Sequence, residues 1–196
     1  MLQSLDAGPA LAAFDLANQA DPRQEPDEQG QLQPQEWLYG QRMSQRLAQF
    51  CPQASLALQL AARAQHLERW VIPREQYARD RAGYLQWRSD LKAYHARRAA
   101  ELLRDLGYDE PLIERVGSLL RKEQLKRDAE CQTLEDVACL VFLQYHFAAF
   151  AAGHAEEKVL DIVRKTWRKM SPAGQQAALQ LPLDAGTLVL VGKALA

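Results

Sequence analysis

The chain reads as an all-α protein: one compact helical domain of about seven to nine helices around a single buried central helix. Three observations predict this. Leu, Ala, Gln, Glu, Lys and Arg dominate the 196 residues, and all are good helix formers. No stretch alternates strictly between apolar and polar with β-branched residues; Val189 and Val191 come closest, in a segment equally compatible with a last helix. The segment opened by Thr133 is apolar on nearly every face (Leu134, Val137, Leu140, Val141, Leu143, Phe147, Phe150), which is the pattern of a central helix.

The elements follow in order. A first helix runs from about Leu2 to Gln19 and is stopped by Asp21-Pro22. Residues 20–34 are polar, with prolines and a glycine, and read as a loop. A second helix covers Gln35 to about Phe50, and Cys51-Pro52 breaks it; Pro52 suits the first turn of a third helix ending near Trp70. Residues 71–82 form a loop, followed by a long helix from about Gly83 to Leu106 with Gly107 beyond its end. A shorter helix covers about Glu110–Lys122. Thr133 caps the central helix, which runs to about Ala152, and Thr133-Leu134-Glu135-Asp136 resembles a capping box. Two or three helices fill 154–195, with breaks at Ser171-Pro172 and Pro182. The whole chain 1–196 reads as one domain: an N-terminal helix and loop (1–34), a core at about 50–150 and C-terminal helices (154–196).

Composition narrows the class. Hydrophobic residues make up 47% and charged residues 25%, as in an ordinary globular protein. The 24 bases and 25 acids leave a formal charge of -1, so a generally basic nucleic-acid binder is disfavoured. No apolar run is expected to reach the roughly 20 residues of a membrane helix. Three cysteines without CxxC spacing, and an N-terminus with acids and no early Lys or Arg, predict free thiols and a cytoplasmic location.

Charge is uneven within that neutral total. Residues 1–50 hold seven acids and three bases, while residues 63–104 hold ten bases and five acids, interleaved with Trp70, Tyr77, Tyr84, Trp87 and Tyr94. Arginine forks among aromatic faces suit phosphate and stacked bases; a solvated helix surface has the same composition. Arg63, Arg69, Arg74, Arg81, Arg88, Lys122 and Lys165 form the candidate anion-binding set.

Phosphate-loop, dinucleotide and nucleophile-elbow signatures are absent, so any His-based site draws on His66, His95, His146 and His154. His66 ends the third helix, where a ligand histidine and a dipole-stabilised one are both at home. His95 lies on an otherwise apolar row (Trp87, Leu91, Ala99, Leu102), so it points inward and needs partners. Asp136 is an inward acid on the central helix, which caps, pairs or binds metal. His146 and His154 read as structural or surface residues.

The order His66, His95, Asp136 resembles the HD superfamily of helical phosphohydrolases. The second element reads His95-ARRAAELLRDLG and the third Glu135-DVACLVFL; in the first, Leu67 stands where that superfamily places Asp. This resemblance implies an HD-like fold in which His66, His95 and Asp136 hold one divalent ion (Mn, Fe or Zn), with Glu68 or Glu135 as general base. Over nearly its full length the chain resembles domain of unknown function family 4202, through A61-ARAQHLERWVIPR, G83-YLQWR, Q132-TLEDVACLVFL and K165-TWRKMS. That family implies no established activity.

Three functions are compatible with these residues. One is metal-assisted hydrolysis of a phosphorylated small molecule or nucleotide. Another is a metal-free module that binds phosphate or a nucleotide without catalysis. The last is RNA binding through residues 63–104. Under the first two, loop 71–82 lies over the mouth of the pocket.

Overall fold

The computed structural model describes residues 6–196. Among them are ten α-helices and one two-stranded hairpin, so the all-α reading holds. The helices are α1 Gly8–Asn18, α2 Gln35–Phe50, α3 Leu56–Arg63, α4 Arg81–Asp105, α5 Glu110–Arg121, α6 Ala129–Val141, α7 Phe147–Ala152, α8 Glu156–Lys169, α9 Pro172–Ala178 and α10 Ala185–Leu195. The expected start of the first helix at Leu2 lies outside the described residues.

Most boundaries follow local chemistry. Asp80, Asp109 and Asp184 cap α4, α5 and α10 by accepting from the backbone N–H three residues on. Three expectations need correction. The third helix starts at Leu56, because the Ser55 hydroxyl caps it, and it ends at Arg63 rather than near Trp70. Residues 64–68 then unwind, and Glu68 takes a left-handed conformation at φ 51. The loop 20–34 contains a short antiparallel hairpin, β1 Gln24–Pro26 with β2 Leu32–Pro34. Finally, α6 begins at Ala129, four residues before Thr133, because the Asp128 carboxylate caps the Glu130 and Cys131 N–H groups. Thr133 donates to the Ala129 carbonyl instead, so there is no capping box.

α6 and α7 form one continuous rod, joined by a π-helical turn at Phe142–His146. The stretch Ala129–Ala152 is long and apolar enough to cross a membrane, contrary to expectation, but here it is the central helix and half of it is buried. Its two faces serve two apolar clusters. Leu134, Val137 and Val141 pack with α2, α3, α4 and α5 around Phe14, Met43, Leu60 and Leu103. Leu140, Leu143 and Phe147 pack with α8, α9 and α10 around Val159, Val163 and Val191. Two faces of this apolar helix are therefore packed.

Part of the charge is paired internally. Arg42 leaves α2 to pair with Glu25 and Glu28 of the hairpin segment, over the Tyr145 ring. Arg23 bridges Asp21 and Glu36. Arg63 of the basic stretch pairs with Asp15 on α1.

Candidate functional site

Where α3 unwinds, α2, the start of α4, the end of α5, α6, the π turn and α8 surround a cleft of about 1010 Å³. A smaller recess of about 20 Å³ adjoins it and shares Gln65, His66, Arg69, Arg88 and Lys122. His95, Leu91, Lys92 and Leu120 complete the recess.

The geometry of the unwound segment sets the two histidines. His66 stacks on Tyr39 of α2, with ring centroids 3.9 Å apart and planes 12° apart. Its Nδ1 is 3.1 Å from Glu36 Oε2 and 3.5 Å from Arg69 Nη1. His95 Nδ1 donates to the Leu67 carbonyl at 2.8 Å. A carbonyl only accepts, so the proton sits on Nδ1 and the His95 Nε2 lone pair is free. The two imidazole centroids are 6.1 Å apart.

Electrostatics follow burial. Burial pushes the His66 imidazole well below its usual range, and nearby Arg69 adds to this; the same two effects, partly offset by the Leu67 carbonyl, hold His95 down to about 3. Glu36 is pushed up to about 7 by burial, against the pull of Arg69 and Arg23. Glu135 is pushed up by burial too, but the charges of Lys122, Lys169 and Arg88 outweigh this and leave it below the ordinary glutamate range.

The cleft is strongly basic. Arg69, Arg81, Arg88, Lys122, Lys165, Arg168 and Lys169 line it, against Glu36 and Glu135. Lys122 pairs with Glu135, and Lys165 with Asp161. Among the described residues no carboxylate comes within ion-pair distance of Arg69 or Arg88. Arg69 instead lies over the Trp87 ring, 4.9 Å from its centroid. The lining also has an apolar part: Leu85, Ala138, Phe142, Phe150 and Ile162.

The expected site residues divide. His66, Arg69, Arg81, Arg88, Lys122, Glu135 and Lys165 line the cleft, and His95 lines the recess. Arg63 is turned away to Asp15 and Ser44. Arg74 donates to the carbonyls of Tyr77 and Ala78 and so shapes its own loop. That loop packs on α4 through Trp87 Nε1 to Ile72 O and Tyr77 Oη to Asp90; of residues 71–82 only Arg81 reaches the cleft, so the loop does not cover its mouth. Glu68 accepts from Tyr94 Oη at 2.7 Å and Arg98 Nε at 2.9 Å, outside the cleft, and is not placed to act as its base.

Asp136 also leaves the set. It accepts from Gln132, from the Ser171 backbone N–H at 2.8 Å and from the Ser171 hydroxyl, tying α9 to α6. Leu67, at the position where the HD pattern has Asp, is 0% exposed in the apolar core. Among the described residues no three His, Cys, Asp or Glu side chains gather as a metal-holding group. The donor set therefore does not fit the divalent ion that the HD resemblance implies.

Glu36, Tyr39, Gln65 and His146 were missed as site residues. Glu36 and Tyr39 share one face of α2 at i, i+3 spacing, a weak signal. Nothing local marked Gln65 or His146: both line the cleft, and each has one buried side-chain atom without a hydrogen-bond partner.

Residues 8–191 match the family model described as Domain of unknown function (DUF4202), and the chain belongs to that family. No curated protein and no solved structure matches it.

Proposed function

We propose that the cleft binds a small phosphorylated or carboxylated molecule with an apolar or planar body, and that it does so without a metal. One observation carries this reading: Arg69 and Arg88 line a cleft of about 1010 Å³ that also has apolar lining, and among the described residues neither has a carboxylate partner. Unpaired guanidinium groups at a partly dry surface are strong, fork-shaped donors to phosphate oxygens. Phe142, Phe150 and Ile162 would bury the rest of the ligand, in a volume typical of small-molecule sites.

The test is thermal denaturation with inorganic phosphate and with adenosine monophosphate. Either ligand should raise the melting temperature, and the rise should fall with added salt. Arg88→Ala should abolish it, while Arg74→Ala, outside the cleft, should leave it intact. No shift with either ligand would sink the reading.

A second reading is hydrolysis of that ligand, favoured by the Glu36–His66 pair. A carboxylate that orients an imidazole makes the far nitrogen a base able to take a proton from water. Release of inorganic phosphate from nucleotides and phosphomonoesters, lost in His66→Ala, is the expected signature. Its absence across such a panel, also with manganese, iron or zinc added, removes hydrolysis and leaves binding.

A further inference from the structure

The inner recess has a polarity that an anion does not satisfy. Gln65 is 8% exposed, and its side-chain oxygen is buried with no partner in the described structure. His95 is 4% exposed, and its Nε2 is an unpartnered acceptor, because Nδ1 is committed to the Leu67 carbonyl at 2.8 Å. An ionised phosphate oxygen is itself an acceptor and would meet the His95 lone pair with repulsion. The Gln65 oxygen is a buried acceptor without a donor, which is costly, and His95 lines the recess with its Nε2 lone pair free, so this end of the site asks for a donor. Arg69, Arg88 and Lys122, which line both hollows, place the anionic group beside it.

Resting on the anion-binding reading above, we propose that the recess selects ligands in which a hydroxyl or amine group stands close to the anionic group. An amine donates to both His95 Nε2 and the Gln65 side-chain oxygen; a hydroxyl, with one hydrogen, donates to one of them and accepts from the Gln65 amide N–H. The size agrees: about 20 Å³ holds one water-sized group and no ring. The ligand class is thus a phosphorylated polyol, sugar or nucleoside, in preference to bare phosphate or an alkyl phosphate. The hydroxyl displaces a water and gains by being tethered to an anion already held.

Calorimetric titration separates the two claims. At about pH 8, well above the second phosphate pKa of about 6, the probes are propyl phosphate, which then has no donor, and glycerol 3-phosphate, ribose 5-phosphate and adenosine monophosphate, which do. At least one hydroxylated probe should bind about tenfold more tightly than propyl phosphate, about what one satisfied hydrogen bond is worth. His95→Phe and Gln65→Leu should bring that ratio near one, by weakening the hydroxylated probes more than propyl phosphate. If His95→Phe fails to fold, Gln65→Leu and His95→Gln still report the ratio. Equal binding of all four probes, or a ratio unmoved by the variants, overturns the recess proposal and leaves the anion site standing. Failure of every probe to bind, inorganic phosphate included, overturns both.

Discussion

The Nδ1 of His66 lies 3.1 Å from Oε2 of Glu36, across a sequence separation of 30 residues. The Glu36 side chain is 3% exposed and the His66 side chain 16%, so the carboxylate is sheathed and the imidazole edge opens to the cleft. Asp21 fixes Glu36 from behind, its Oδ2 accepting the Glu36 backbone N–H at 3.1 Å. The pair is therefore held by the chain's own N-terminal third.

Because burial raises Glu36 to about 7 from its ordinary 4.5, the folded chain holds a proton there that the unfolded chain has released. This contribution to stability is fully present below pH 4.5 and is lost as pH rises through 7. Glu36→Gln removes the titration. The wild type should lose on the order of 3 kcal/mol relative to that variant between pH 4.5 and pH 8, as read by urea denaturation across the range. Parallel curves for the two proteins would contradict it.

His95 acts in the opposite sense. Its imidazole is held down to about 3, against an ordinary 6.5, so the stability it contributes is present above pH 6.5 and drains away as pH falls towards 3. His95→Gln should flatten the loss of stability below pH 6.5. An acid limb as steep as the wild type's would place the acid sensitivity elsewhere.

Leu67 decides whether an HD-type His-Asp pair could be restored. Its side chain is fully buried in the main apolar cluster. Leu67→Asp would bury a carboxylate with no partner, so it should destabilise by about 3 kcal/mol or more and bind no metal. A folded Leu67→Asp protein with about one equivalent of bound manganese, iron or zinc by mass spectrometry would reverse this account of the site.

Asp136 should be a stability residue. Gly174 packs so closely that a Cβ there would come within 2.7 Å of the Asp136 carboxyl carbon. Gly174→Ala should cost about 1–3 kcal/mol by overpacking, and Asp136→Ala about as much by stranding Ser171. Neither should change ligand affinity by more than about twofold. A selective loss of binding in folded Asp136→Ala would return this residue to the site.

Glu68 separates backbone from side chain. Its left-handed φ of 51 suits Gly better than Ala, while its carboxylate holds Tyr94 and Arg98. Both Glu68→Gly and Glu68→Ala should be less stable than wild type, with the alanine variant worse by about 0.5–1 kcal/mol. The reverse order in a melting series would mean that the turn is not under this constraint.

The sequence by itself determined the all-α class, the central apolar helix and most helix ends, because caps and 3.6-residue periodicity are local signals. It also marked His66, Arg69, Arg88 and Lys122 as chemistry-bearing. It could not place Asp136: an inward acid looks alike whether it meets an ion or the Ser171 N–H, 35 residues away. It overestimated Arg74 and Glu68 because the unwinding after Arg63 turns them to other partners, and backbone conformation there depends on what the turn packs against. Glu36, Gln65 and His146 became site residues only through packing, which brings three segments far apart in sequence to one cleft. Local interactions write themselves into short sequence patterns; pairing across the fold depends on the three-dimensional contacts, and those existed only once the helices had packed.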